Sequence, residues 1–226
     1  MKASVFLFTP PFTQLNTPYP ATAYLKGFLN TKGISSFQAD LGIEVTLQLF
    51  SKNGLQKLFA AVDRTKEHSA NAERILLLQD EYTSTIDEVV SFLQGKNPTL
   101  AHHIASRNFL PEAGRFAELT DFHWAFGVMG LQDKAKHIAT LYLEDLADFI
   151  KECIDEHFGF SRYAERLGRS ANSFDELYNE LQKPLTLVDT LLLDRLQQHI
   201  ENVQPTFVAI SVPFPGNLYS AFRSAQ

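Results

Sequence analysis

Three apolar runs bounded by turn residues predict strands at about residues 3–8, 34–40 and 206–211. The first (Ala3-Ser4-Val5-Phe6-Leu7-Phe8) and the third (Thr206-Phe207-Val208-Ala209-Ile210-Ser211) are almost continuously apolar, the pattern of parallel strands covered on both faces. The second, Ile34-Ser35-Ser36-Phe37-Gln38-Ala39-Asp40, is mixed and suits a place nearer a sheet edge. Between the first two, Ala21, Tyr24, Leu25, Phe28 and Leu29 recur at helical spacing, and Gly33 stands where a helix C-cap is expected. Together these pieces make one βαβ unit.

After Asp40 the period changes to helical. Apolar residues three or four apart predict helices over 41–50, 55–64, 70–78, 86–93, 98–105, 132–157, 173–181 and 187–202, punctuated by Gly54, Gly95, Pro98, Pro111, Gly168 and Pro184. In the longest of them Ala135, Ile138, Tyr142, Leu146, Phe149, Ile150, Cys153 and Ile154 form one stripe, with Lys136, Glu144, Lys151 and Glu152 elsewhere. The expected architecture is α/β: a Rossmann-like (flavodoxin-like) parallel sheet with a large all-helical insertion. Residues 1–45 plus 204–226 make the sheet domain and 46–203 the insertion.

The two ends share a layout in which an apolar strand runs into a Pro-rich, Asn-containing loop that opens a helix. One loop is Thr9-Pro10-Pro11-Phe12 with Asn16-Thr17-Pro18-Tyr19-Pro20. The other is Val212-Pro213-Phe214-Pro215-Gly216-Asn217, leading into Leu218 to Phe222. Loops leaving the carboxyl ends of parallel strands line the ligand crevice of an open α/β sheet, so the two ends propose one binding site. Three strands are few for a doubly wound sheet, and the expectation is an incomplete sheet from the amino-terminal part of a longer protein.

Charge and cysteine content narrow the chemistry. A net charge of -6 and a pI near 5.6 offer no global field to nucleic acid or an anionic membrane. The one cysteine, Cys153, excludes an internal disulfide, a cysteine-ligated cluster and a zinc site within the chain, and suits a reducing cytoplasm. The apolar N-terminal run before Pro10 is too short to span a bilayer and lacks a signal-peptide cleavage site.

Isolated candidates are weaker. His102 and His103 are adjacent, about 100° apart on a helix, which is poor geometry for one metal. Asp133 and His137 share a helix face as a surface pair. Asp145, Asp148, Glu152, Asp155 and Glu156 crowd one helix without a Glu-x-x-His partner and read as a solvated face. His123-Trp124 suits a pocket lining or, more simply, the core. Cys153, on the apolar stripe, should be inert. No Gly-x-Gly-x-x-Gly, Walker A or Gly-x-Ser-x-Gly pattern occurs.

The strand, Pro-Pro loop, Thr-Pro-Tyr-Pro, Tyr-Leu-containing helix, Gly, strand and Asp-Leu-Gly-Ile-Glu, followed far downstream by Ile-Ser-Val-Pro-Phe-Pro-Gly-Asn-Leu-Tyr, resemble one family. It is that of the amino-terminal cobalamin-binding domains of B12-dependent radical S-adenosylmethionine (SAM) proteins. The likeness covers residues 3–45 and 205–226. It implies a Rossmann-like domain binding cobalamin at its strand C-termini, and a downstream barrel, absent here, that carries a [4Fe-4S] cluster and SAM. On these residues it implies that Pro10, Pro11, Tyr19 and the Asp40-Leu41-Gly42 turn line the crevice mouth. Ser211, Pro213, Gly216 and Asn217 then face the nucleotide tail of the corrinoid. The family's full fingerprint, Asp-x-His-x-x-Gly, supplies a histidine to cobalt; here Leu41 and Gly42 follow Asp40, so a His lower ligand is out of reach.

Beside that implication, Asp40 is equally placed to be a helix N-cap, and Ser211 to bond only backbone. Two other functions stay open. One is a B12-free docking module of a radical SAM protein, whose helical insertion binds a protein or peptide; a filled or polar crevice would mark it. The other is a small α/β enzyme acting on a nucleotide or sugar, which needs a phosphate-binding helix N-terminus where Pro11 and Pro20 remove donors.

Overall fold

The computed structural model describes residues 4–12, 15, 19–117, 130–160 and 174–226. Of the features singled out above, Ala3, Asn16, Thr17, Pro18, His123, Trp124, Gly168 and Ser173 lie outside them. The chain is α/β and forms two compact units, Met1–Thr46 with His157–Gln226, and Leu47–Glu156. Residues 157–203 thus group with the sheet.

In the first unit β1 (Ser4–Thr9), α1 (Ala21–Thr31) and β2 (Ser35–Asp40) are followed by α2 (Leu41–Leu49), which runs on into the second unit. The sheet closes with β3 (Phe207–Ile210). The strand order is β2-β1-β3, all parallel, with Val5 opposite both Ser36 and Phe207, and Phe8 opposite both Ala39 and Ile210. The central strand fits its sequence: Phe6, Leu7, Phe8 and Thr9 are all buried, each large apolar side chain stabilising by about 1.5–3 kcal/mol. The mixed strand β2 lies at an edge, as its pattern indicates.

β3 departs from its pattern. It is the other edge, and Phe207 and Val208, on opposite faces, are 62 % and 45 % exposed. Both-face apolarity asks for cover on two sides, and among the described residues only β1 flanks this strand. α1 departs in the same sense, with Tyr24, Leu25 and Phe28 of its apolar stripe exposed.

Helices cover both faces of β1. α9 (Leu187–Val203) stacks His199 on Phe6 with ring centroids 5.3 Å apart, and His199 Nε2 also lies 2.9 Å from a Glu44 carboxylate oxygen. On the opposite face Ser36, which shares the side of Val5, donates its hydroxyl to Asn30 Oδ1 of α1 at 3.0 Å. α8 (Asp175–Leu181) and α10 (Leu218–Ala225) also belong to this unit.

The second unit packs α3 (Lys52–Ala61), α4 (Ala70–Leu77), α5 (Gln79–Leu93), the short α6 (Ala101–Ala105) and α7 (Gly130–Cys153). Ser51 caps α3 by accepting from Gly54 N at 3.0 Å, and Ser69 caps α4 by accepting from Ala72 N at 3.2 Å. The α7 stripe is buried from Ala135 to Ile150, with Tyr142 stacked on Tyr82 (5.0 Å) and Phe149 tilted against Phe59 (5.5 Å). Among the described residues no helix is long and apolar enough to cross a membrane.

The acidic residues near the end of α7 form a solvated face only in part: Glu152 and Glu156 are exposed, whereas Asp145 and Asp155 are not. Asp145 is wholly buried and accepts from Ala113 N (3.1 Å) and Arg115 N (2.8 Å), so its carboxylate holds the turn at Gly114–Phe116. Asp148 makes a two-pronged ion pair with Arg115, and Asp155 is buried. Backbone amides 30 and more positions away supply Asp145's partners, which helical periodicity does not encode.

Burial pushes the Asp145 carboxyl above its ordinary value, although the two amide donors pull it down. A carboxyl whose pKa is raised by folding opposes folding once ionised. Its contribution is therefore best below the unfolded value and declines as pH rises through the folded one. In urea unfolding from about pH 4 to 7, the wild-type stability relative to Asp145→Asn is expected to fall as pH rises. A rise would mean that the amide donors outweigh burial.

Candidate functional site

The connection through α1 adds β2 on one side of β1, and β3 pairs on the other. The carboxyl ends of β1 and β3 thus flank the point at which the order of strand addition reverses, where open α/β sheets bind ligands. Both Pro-rich loops leave the sheet there.

They are tied together. Asn217 Nδ2 donates to Pro10 O at 2.6 Å, joining positions 207 apart in sequence. Asn217 is wholly buried, and its Oδ1 has no hydrogen-bond partner among the described residues. Pro10 and Pro11 are buried, and Phe12 behind them packs edge-on against Phe158 at 5.6 Å. Gly42 closes in from the β2 side: a Cβ on it would crowd Asp40 Oδ1 at 3.2 Å and meet Pro11 Cα at an ordinary contact distance of 3.7 Å.

Asp40 Oδ1 accepts from Ile43 N at 3.0 Å, so this side chain caps α2. Ser211 N donates to Phe8 O at 2.8 Å, extending the β1–β3 ladder by one residue. Pro213 is half-buried and Gly216 buried, the latter in a 3-10 turn, Pro215–Asn217, that leads into α10. Tyr19 is exposed and meets Phe214 edge-on at 5.7 Å.

The structure therefore brings Pro10, Pro11, Gly42, Gly216 and Asn217 together as a buried floor. It sets Tyr19 at an exposed rim, with Asp40, Ser211 and Pro213 half-buried. Sequence reasoning missed Val212 and Phe214, which are exposed and add apolar surface to that rim. The Val-Pro-Phe-Pro alternation was the available signal, because in extended backbone the residues either side of a proline point to the same side. An exposed apolar, aromatic rim over a rigid floor can hold a flat, largely apolar ligand.

A second group, in the other unit, also escaped the sequence. His68, Glu152 and Cys153 bring one metal-ligating atom each to within 4.8 Å of one another. The adjacency of Glu152 and Cys153 at a helix end was the only local hint. Comparison of the chain with protein-family models, curated proteins and solved structures found no match.

Proposed function

We propose that the first unit is a Rossmann-like, flavodoxin-like domain that binds a corrinoid at the carboxyl edge of its sheet. The observation that carries this reading is the Asn217–Pro10 bridge at the β1/β3 switch point, which unites the two segments that resemble cobalamin-binding domains. Cobalamin suits the residues present. Tyr19, Val212 and Phe214 offer apolar area to the corrin edge, and no histidine follows Asp40 to ligate cobalt.

When bound, the corrinoid supplies methyl-transfer or electron-transfer chemistry to a SAM-dependent radical reaction on a [4Fe-4S] barrel elsewhere in a longer protein. The residues of this chain bind and orient. Pro10, Pro11 and Gly42 fix the loop backbone, Asp40 holds α2 against it, and Asn217 locks the two loops in register.

Titration of the purified protein with hydroxocobalamin and methylcobalamin, read by visible absorbance and equilibrium dialysis, tests this. Stoichiometric binding with a base-off spectrum free of histidine ligation is expected. Phe214→Asp should weaken it at least about tenfold while leaving the far-UV circular dichroism unchanged, since that side chain is exposed. No binding, here and in the longest natural form of the polypeptide, would move the reading to a B12-free docking module for a protein or peptide. The burial of Pro10, Pro11, Gly42, Gly216 and Asn217 favours that second reading, because it confines any ligand to the rim.

A further inference from the structure

We propose that His68, Glu152 and Cys153 form a binding site for a borderline divalent cation of the zinc class, independent of the strand-end site. The three offer an imidazole nitrogen, a carboxylate oxygen and a sulfur, the donor types that zinc accepts. Cys153 Sγ lies 3.6 Å from His68 Nδ1, close to the separation of about 3.5 Å that two ligands of one tetrahedral ion require. The widest separation in the group is within 4.8 Å, so small side-chain rotations bring all three onto one ion.

The surroundings orient these ligands. His68 Nε2 lies 3.0 Å from Asp63 O. A carbonyl oxygen can only accept, so Nε2 carries the proton and Nδ1 turns its lone pair toward Cys153. A carbonyl that fixes the imidazole tautomer is the usual outer support of a metal-binding histidine. Asp63 is itself held by Thr65, which donates its backbone N–H (3.0 Å) and hydroxyl (2.6 Å) to Asp63 Oδ1. Glu152 receives the backbone N–H and the hydroxyl of Ser69, each at 2.7 Å, one on each oxygen. Each carboxylate oxygen keeps a second lone pair, so the grip of Ser69 aims Glu152 without exhausting it.

Position and access agree with a cation. Cys153 is the last residue of α7, where the carbonyl end of the helix favours positive charge. Glu152 is exposed while His68 and Cys153 are half-buried, which leaves the fourth coordination position open to water. Three protein ligands with one open position characterise exchangeable or catalytic zinc rather than closed structural sites. On binding, the metal takes the place of the Cys153 thiol proton, which passes to solvent. The expectation that one cysteine excludes zinc counted cysteines alone; here histidine and glutamate supply the other ligands.

Cobalt(II) titration of the native chain, followed by zinc displacement, tests the site. With one cysteine in the sequence, any thiolate-to-cobalt charge-transfer band reports Cys153, whatever the seven histidines bind elsewhere. One equivalent of cobalt should raise that band together with intense visible absorption of tetrahedral type, and zinc should abolish both. Cys153→Ser should remove the band, and His68→Gln should weaken binding at least tenfold. Glu152→Gln, which keeps an acceptor for Ser69, should weaken it less than His68→Gln. Circular dichroism serves as the fold control for each variant. Absence of the band at stoichiometric cobalt, or equal affinity in the wild type and His68→Gln, overturns the assignment.

Discussion

Replacing Arg223 with methionine is expected to destabilise the first unit by about 3–5 kcal/mol, the usual cost of removing one partner from a buried ion pair. Arg223 and Asp189 are 4 % and 1 % exposed, with Arg223 Nε 3.3 Å from Asp189 Oδ2. Tyr219 lies between them, donating its hydroxyl to Asp189 Oδ2 (2.9 Å) and accepting from Arg223 Nη2 (2.7 Å). Arg223 Nη1 also donates to Leu181 O at the end of α8 (2.7 Å), so one guanidinium ties α10 to both α8 and α9. Methionine fills much of the same space but removes the Arg223 cation from the buried Asp189 carboxylate.

Asp189→Asn should cost a similar amount, since it leaves the guanidinium uncompensated and weakens the capping box in which Asp189 Oδ2 accepts from Thr186 N. The double variant should lose much less than the sum, because neither charge remains stranded. Urea unfolding of the three variants checks this; additive losses would show that the pair is not coupled. A functional consequence follows, because Asn217 immediately precedes α10. Loosening that helix frees the residue that locks the Pro10 loop, so on the function proposed above Arg223→Met should weaken hydroxocobalamin binding without touching the rim.

Local patterns in the sequence carried the elements well and their surroundings poorly. β1 and the α7 stripe were legible because a buried face imposes its period directly on the residues. The same apolarity in β3 and α1 reads as cover on both sides, yet Phe207, Val208, Tyr24 and Phe28 are exposed. Pattern states what a face requires, not what lies against it. Asp40 as an N-cap was readable, because a cap acts over three residues, from Asp40 to Ile43. Asp145 was misread because its partners are backbone amides, which any residue supplies. The Asn217–Pro10 bridge and the Cys153–His68 approach span 207 and 85 positions, distances over which spacing holds no information.

Gly54→Ala separates those two levels, because they give opposite signs. By helix propensity alone the substitution stabilises a helix by about 1 kcal/mol, and a glycine between two apolar-periodic segments reads as mere punctuation. In the structure Gly54 is buried in the first turn of α3, donating its N–H to Ser51 Oγ at 3.0 Å. A Cβ there would fall well inside contact distance of the carbonyl oxygens of Gln48 and Leu49. Those atoms are backbone at the end of α2, so they cannot rotate aside as a flexible side chain would. Ser51, which links the two helices, is pinned by donating its own hydroxyl to Gln48 O at 2.7 Å. Relief therefore requires moving the α2–α3 corner as a whole, and the expected net loss is about 2–3 kcal/mol, near the upper range for overpacking a tight site. Ser51→Ala, which removes the cap but not the close approach, should cost only about 1 kcal/mol. If Gly54→Ala instead unfolds at a higher urea concentration than wild type, the corner is not tight and propensity governs. If it loses more than Ser51→Ala, the close passage of the two helix ends is what glycine at this position provides.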